Sequence, residues 1–260
     1  MDDRILMVVG DKFKDFAVGK DALTISQLRG LLAVPHLVDA AAGRLSIVPG
    51  QGLSEDDVAE VLAMAHDNAH AARFDLTLWR NHPARAAGAR SHKRHKRNTL
   101  ISEPRRTGDD AFEMDLLIDQ ECELMGDHQT GQHIQGMILM EAARQSFLAV
   151  TEAFFLEQDG TKYYFVIDEM AIRYKRFLFP LGASLRYAVR EKDLAGSRKR
   201  FLVDIAIEQG GQEAASSTIG FTVFDAARIS KREAGLAIEA FETCVGALRA
   251  KAAAGVAEAA

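Results

Sequence analysis

Cysteine is nearly missing from this chain. Its 260 residues include two, Cys122 and Cys244, too few for a disulfide framework or a four-thiolate zinc site. A basic excess is missing as well. Lys and Arg number 32 against 37 Asp and Glu, a net charge of −5, whereas dedicated nucleic-acid binders usually carry the opposite sign; no nucleic-acid partner is expected. No run approaches the ~18 consecutive apolar residues of a membrane span, so no membrane association is expected either. Met1-Asp2-Asp3-Arg4 lacks the basic start of a secretory signal, and the expectation is a soluble, cytoplasmic protein. Hydrophobic residues at 48% and charged residues at 27% suffice for a packed core and exclude wholesale disorder. At roughly 100–200 residues per domain the length allows one large domain or two small ones.

A local charge excess divides the chain. Between Arg85 and Arg106 stand eight Arg and Lys residues, with His92 and His95 among them, and Pro83 to Ser91 is small, polar and aperiodic, as linkers are. The boundaries read as 1–80 for a small α/β N-terminal domain, 81–96 for a basic linker, 97–226 for the main domain and 227–260 for a C-terminal helix and Ala-rich tail. In the first unit, Ile5–Val9 and Leu45–Val48 predict buried strands. Ala22–Ala33 has helical spacing, Ser54-Glu-Asp-Asp57 caps a helix, and Phe74–Trp79 alternates like a strand. Pro49-Gly50-Gln51-Gly52 lacks the Gly-Lys-Ser/Thr of a P-loop and reads as a turn. In the main domain, Phe112–Ile118 predicts a half-buried strand and Met137 to about Leu156 a long apolar helix. Four β segments follow, with hairpin turns placed at Pro180–Gly182, Leu194–Ser197 and Gln209–Gly211. A final helix presents Ile238, Phe241, Val245 and Leu248 on one side. A helix apolar nearly all round must be enclosed. The fold class is therefore α+β: a single hotdog domain, a curved antiparallel sheet around a long central helix. The open edge of such a sheet predicts pairing in a homodimer.

Against that apolar helix Glu141, Arg144 and Gln145 stand at i, i+3 and i+4 on one face. Burying a carboxylate and a guanidinium is costly unless they are paired or used, so the group is either an orienting ion pair or part of a site. The loop upstream, Asp127-His128-Gln-Thr-Gly131-Gln-His133-Ile-Gln-Gly136, runs directly into the helix start, where free amides can hold a carbonyl or oxyanion. Histidine exchanges protons near neutral pH. His128 and His133 are wrongly spaced for a one-turn metal pair and no cysteine joins them; no metal and no cofactor are expected.

The stretch Gly126 to Gln145, with Ser91-His-Lys-Arg94, Asn98–Ser102 and Arg105–Phe112, resembles the A-factor biosynthesis hotdog family, which makes or relates to γ-butyrolactone signals. More distantly it resembles β-hydroxyacyl carrier-protein dehydratases, through His128, Gly136 and Glu141. The family's synthases carry two hotdog repeats in one chain; a single copy implies pairing between subunits. By resemblance the activity is transfer of a β-ketoacyl group from an acyl carrier protein or acyl-CoA to the hydroxyl of a small phosphorylated acceptor such as dihydroxyacetone phosphate. Glu141, His128 and Arg144 become the catalytic candidates, with the base at Glu141 or His128. Substrate-binding candidates are His133, Gly136, Gln145, Gly131 and Asp127. Arg144, and with it the Lys93–Arg97 cluster, would meet phosphate, although a solvated linker also explains that cluster. The alternatives are a hotdog dehydratase or hydratase and a non-catalytic acyl-chain binding protein.

Overall fold

Short apolar runs followed by well-capped helices build the first unit. The computed structural model describes residues 4–34, 44–66, 72–126, 130–196 and 198–258. Strands β1 (Arg4–Val9), β2 (Ala22–Thr24), β3 (Leu45–Pro49) and β4 (Phe74–Asp75) form a parallel sheet in the order β2-β1-β3-β4. Helices α1 (Lys14–Ala17), α2 (Ile25–Ala33), α3 (Glu55–His66) and α4 (Thr77–Arg80) follow the strands in turn. Thr24 and Gln27 close a capping box at the start of α2, and the Ser54 hydroxyl accepts from the Asp57 amide at 3.0 Å to start α3. Val8, Ile25, Leu28, Ile47, Val61 and Trp79 make the small core between sheet and helices.

Two local expectations change. The start of the helix expected over Ala22–Ala33 is the strand β2, because Thr24 is the cap and helix begins only after it. The strand expected over Phe74–Trp79 stops at Asp75. That carboxylate accepts from the Thr77 amide at 3.0 Å and the Thr77 hydroxyl at 2.6 Å, and this turn sends the chain into α4.

The second sheet is antiparallel throughout. It consists of β5 (Arg105–Arg106), β6 (Ala111–Asp115), β7 (Tyr163–Tyr174), β8 (Ser184–Asp193), β9 (Arg198–Gln209) and β10 (Gln212–Asp225), ordered β5-β6-β8-β9-β10-β7. After the short helix α5 (Gly88–Ser91), the long helix α6 (Gly136–Phe154) lies in the curve of this sheet. Ala142, Ala143, Ser146 and Ala149 let the strands approach, and Phe147 stacks on Phe221 with centroids 4.4 Å apart. This is the enclosed-helix solution that an all-round apolar helix demands. One hairpin does not exist: β7 pairs with β10, not β8, so Pro180–Gly182 belongs to a crossover from the edge of the sheet to its middle. Helix α7 (Ala226–Glu258) then leaves β10 with Ile238, Phe241 and Leu248 exposed.

The two sheets meet along a polar seam made of backbone. Gln51, 3% exposed, accepts from the Ile118 amide at 2.8 Å and donates to the Leu116 carbonyl at 2.9 Å. Gly10 and Gly52 touch so closely that a Cβ on Gly10 would sit 2.4 Å from the Gly52 oxygen. The glycine-rich turn thus serves the approach of two backbones. The aperiodic stretch read as a linker is folded into the same seam. Ala86 and Ser91 are buried, and Arg85 donates to the carbonyls of Thr99 at 2.6 Å, Leu53 at 2.9 Å and Leu117.

Candidate active site

Helix α6 places Glu141, Arg144 and Gln145 at one side of its second and third turns, and the structure brings these three together. The Glu141 carboxylate accepts from Arg144 Nε at 2.8 Å and Nη2 at 3.0 Å, and from Gln145 Nε2 at 3.0 Å. A second cation joins from outside the helix: Lys93 Nζ lies 2.7 Å from Glu141 Oε1. Its placement is local chemistry. The short helix α5 ends at His92, which takes the left-handed φ of 53°, and the Lys93 amide closes the turn on the Gly88 carbonyl at 2.9 Å. Burial alone would push the Glu141 carboxyl up. The hydrogen bonds from Arg144, Lys93 and Gln145 outweigh it and hold the group at about 2.

Gln145 is fully buried and fully committed. Its Nε2 also donates to the Asn98 carbonyl at 2.9 Å, and its Oε1 accepts from the Leu100 amide at 2.8 Å. It holds Glu141 in place from below, with no polar atom left for a substrate. Glu141, Arg144 and Lys93 face a cavity of about 270 Å³ whose apolar walls are Leu124, Met137, Met140 and Met170. Cys122 lines it too. Burial pushes that thiol up, so it is a wall of the cavity in its neutral form rather than a ready nucleophile.

The remaining candidates lie elsewhere. His133 shares a 3.1 Å hydrogen bond with the Thr130 hydroxyl, and its ring packs at a tilt of 51° against Phe177 with centroids 4.7 Å apart. It borders a separate cavity of about 460 Å³ with Gly136 and Tyr174. Gly136 accepts at its carbonyl from the Tyr174 hydroxyl at 2.8 Å, and a Cβ there would lie 2.9 Å from the Tyr174 ring. Its amide opens the helix, where no intrahelical acceptor exists. Gly131, at φ 71°, sits at the seam: its carbonyl accepts from the Phe16 amide at 3.0 Å and a Cβ would meet Asp15 at 2.6 Å. Asp127 and His128 lie outside the described residues. A larger hollow of about 520 Å³ opens at the seam beside His82. Its carboxylates Asp115 and Glu208 are paired with Arg105 and Arg186, and burial, then Arg85, holds His82 below its ordinary value. Half-buried charge facing an apolar hollow is found at Glu141, and this marks the candidate site.

Lys93 and Cys122 are the residues that sequence reasoning placed least well. Lys93 stood only within a basic cluster, and Cys122 seemed uninformative. The adjacency of Ser91-His-Lys-Arg94 to the family-like segments was the available signal for Lys93.

The A-factor biosynthesis hotdog domain matches residues 74–225, more than half of the chain and all six antiparallel strands. The chain belongs to this family. The match begins in β4, so the A-factor biosynthesis hotdog domain as matched includes Arg85 and the turn that carries Lys93, while Gly10, Gln51 and Gly52 of the seam lie before it. No curated protein matches the chain. Among solved structures, a mutant of thioesterase PA1618 from Pseudomonas aeruginosa is similar at 14% identity over 48% of this chain and 81% of that one, with a TM-score of 0.36. A mutant of thioesterase SAV0944 from Staphylococcus aureus is similar at 12% identity over 48% and 93%, with a TM-score of 0.36. Thioesterase HI1161 from Haemophilus influenzae matches at 15% identity over 48% and 78%, with a TM-score of 0.34. Among the described residues no helix is long and apolar enough to cross a membrane.

Proposed function

We propose that this hotdog protein acts on acyl thioesters, transferring a β-ketoacyl group from a carrier protein or coenzyme A to the hydroxyl of a small phosphorylated acceptor such as dihydroxyacetone phosphate. The observation that carries the reading is the ionised Glu141 carboxylate, clasped by two cations at the wall of an apolar cavity. While both cations hold it, Glu141 is a weak base. An acceptor phosphate that draws Lys93 and Arg144 onto itself frees the carboxylate and restores its basicity. Glu141, or His128, then takes the hydroxyl proton as the acceptor oxygen attacks the thioester carbonyl. The first amides of α6 stabilise the oxyanion; the C–S bond breaks and the thiolate leaves, taking up the proton. The apolar walls suit the acyl chain.

The same carboxylate weighs against a dehydratase. That reaction asks Glu141 to protonate a leaving hydroxyl, and a carboxyl held at about 2 carries no proton to give at neutral pH. A homodimer fits the free edge of β7, twelve residues long, which a second copy can cover. The test is thiol release. Purified protein with a β-ketoacyl thioester and the acceptor should free thiol only when both are present, and Glu141→Gln and His128→Ala should each slow it. Unchanged rates in both variants remove these residues from the reaction, and an enoyl thioester formed without acceptor overturns the transferase.

A further inference from the structure

The cavity at His133 has a chemistry that acyl-chain binding does not use. Its floor is apolar, made by the buried Ile134, Leu139 and Leu178. One rim is aromatic: Phe177 is 69% exposed, with the His133 ring against it at 4.7 Å and Tyr174 anchored nearby to Gly136. A phenylalanine this open at the mouth of a cavity offers a flat face for stacking. The other rim is cationic. Lys175 is held 2.6 Å from Glu213, while Arg176 bonds the neutral amide of Gln212 rather than a carboxylate, so its charge is available to an anion. Gly136 borders this cavity and Met137 borders the Glu141 cavity. The two hollows therefore flank the first turn of α6.

We propose that this second cavity is a nucleotide subsite, taking the adenosine bisphosphate end of coenzyme A. The base stacks on Phe177 and His133, and the phosphates meet Arg176 and Lys175. The inference rests on the thioester reading above and selects coenzyme A over a carrier protein as the acyl donor. An acidic carrier-protein surface on the same cations is the rival occupant, but it has no need of an open aromatic face.

The experiment is calorimetric titration of the full chain with adenosine bisphosphate, the coenzyme A fragment that lacks the pantetheine arm and cannot react. Saturable binding is expected. Phe177→Ala should weaken it about tenfold or more, the usual loss when a stacking ring is removed, and Arg176→Gln should weaken it and flatten its salt dependence. Glu141→Gln should bind like the wild type, because it lies in the other cavity. Phe177 and Arg176 are exposed, so both variants should keep the wild-type melting temperature. Absence of binding, or binding indifferent to Phe177→Ala and Arg176→Gln, overturns the subsite. Fragment binding without turnover of any acyl thioester keeps the subsite and removes the transferase. Turnover of acyl carrier protein without fragment binding keeps the transferase and overturns the subsite.

Discussion

A buried charge and a half-buried one in this molecule are satisfied in opposite ways. Arg85, 6% exposed, gives its guanidinium to three backbone carbonyls of the seam. Those acceptors belong to segments fixed by β-bridges and packing. Glu141 is satisfied by side chains instead, and two of them, Lys93 and Arg144, border an apolar cavity. Side chains with free rotors can change partners when a ligand arrives; carbonyls in a seam cannot. The contrast separates a charge that holds two units together from a charge whose partners a ligand could draw away, and it does so without reference to any relative.

Breaking the comparison at its rigid end should have the largest effect on stability. Arg85→Met leaves three buried carbonyls without this donor, and about 3–5 kcal/mol should be lost, at roughly 1–3 kcal/mol for each buried acceptor left unsatisfied; urea unfolding measures it. Gly10→Ala attacks the same seam sterically, since its Cβ would meet backbone at 2.4 Å, and should cost about 1–3 kcal/mol. At the adaptable end, pH is the lever. The Glu141 carboxyl stands at about 2 against an ordinary 4.5. A depressed carboxyl contributes stability that is complete above its unfolded value and is lost as pH falls from 4.5 towards 2. Unfolding measured across that window should show a loss of up to about 3 kcal/mol in the wild type and a flatter profile in Glu141→Gln. The smallest effect belongs to the exposed pair Arg190–Asp204. Asp204→Asn should change stability by less than about 1 kcal/mol, which shows that charge pairing by itself does not produce the larger numbers.

The sequence made the hotdog half legible because its signals are periodic. Helix α6 is apolar on nearly every face, and β9 alternates buried and half-buried residues along its length. What stayed hidden depends on partners far apart in the chain. The Pro180–Gly182 turn looked like a hairpin because neighbouring strands in sequence usually pair, but β10 supplies the partner of β7. Asp75 looked like one more residue of a strand, and only its bond to Thr77 ends that strand. At the site, Glu141, Arg144 and Gln145 were readable together because one helix face carries them. Lys93 was not, since its approach depends on the left-handed turn at His92 and on α5 packing against α6. Gly131 was read as a substrate-binding candidate, and its close approach to Asp15 at the seam was not legible.

The central claim is that Glu141 is the poised charge, and one measurement addresses it: thiol release by Glu141→Gln at neutral pH, from a β-ketoacyl thioester with acceptor present, alongside its unfolding curve. The account predicts a rate at least about a hundredfold lower, as for loss of a general base, with stability retained to within about 1–3 kcal/mol because the amide still accepts from Arg144 and Lys93. A folded variant that releases thiol at the wild-type rate would contradict it.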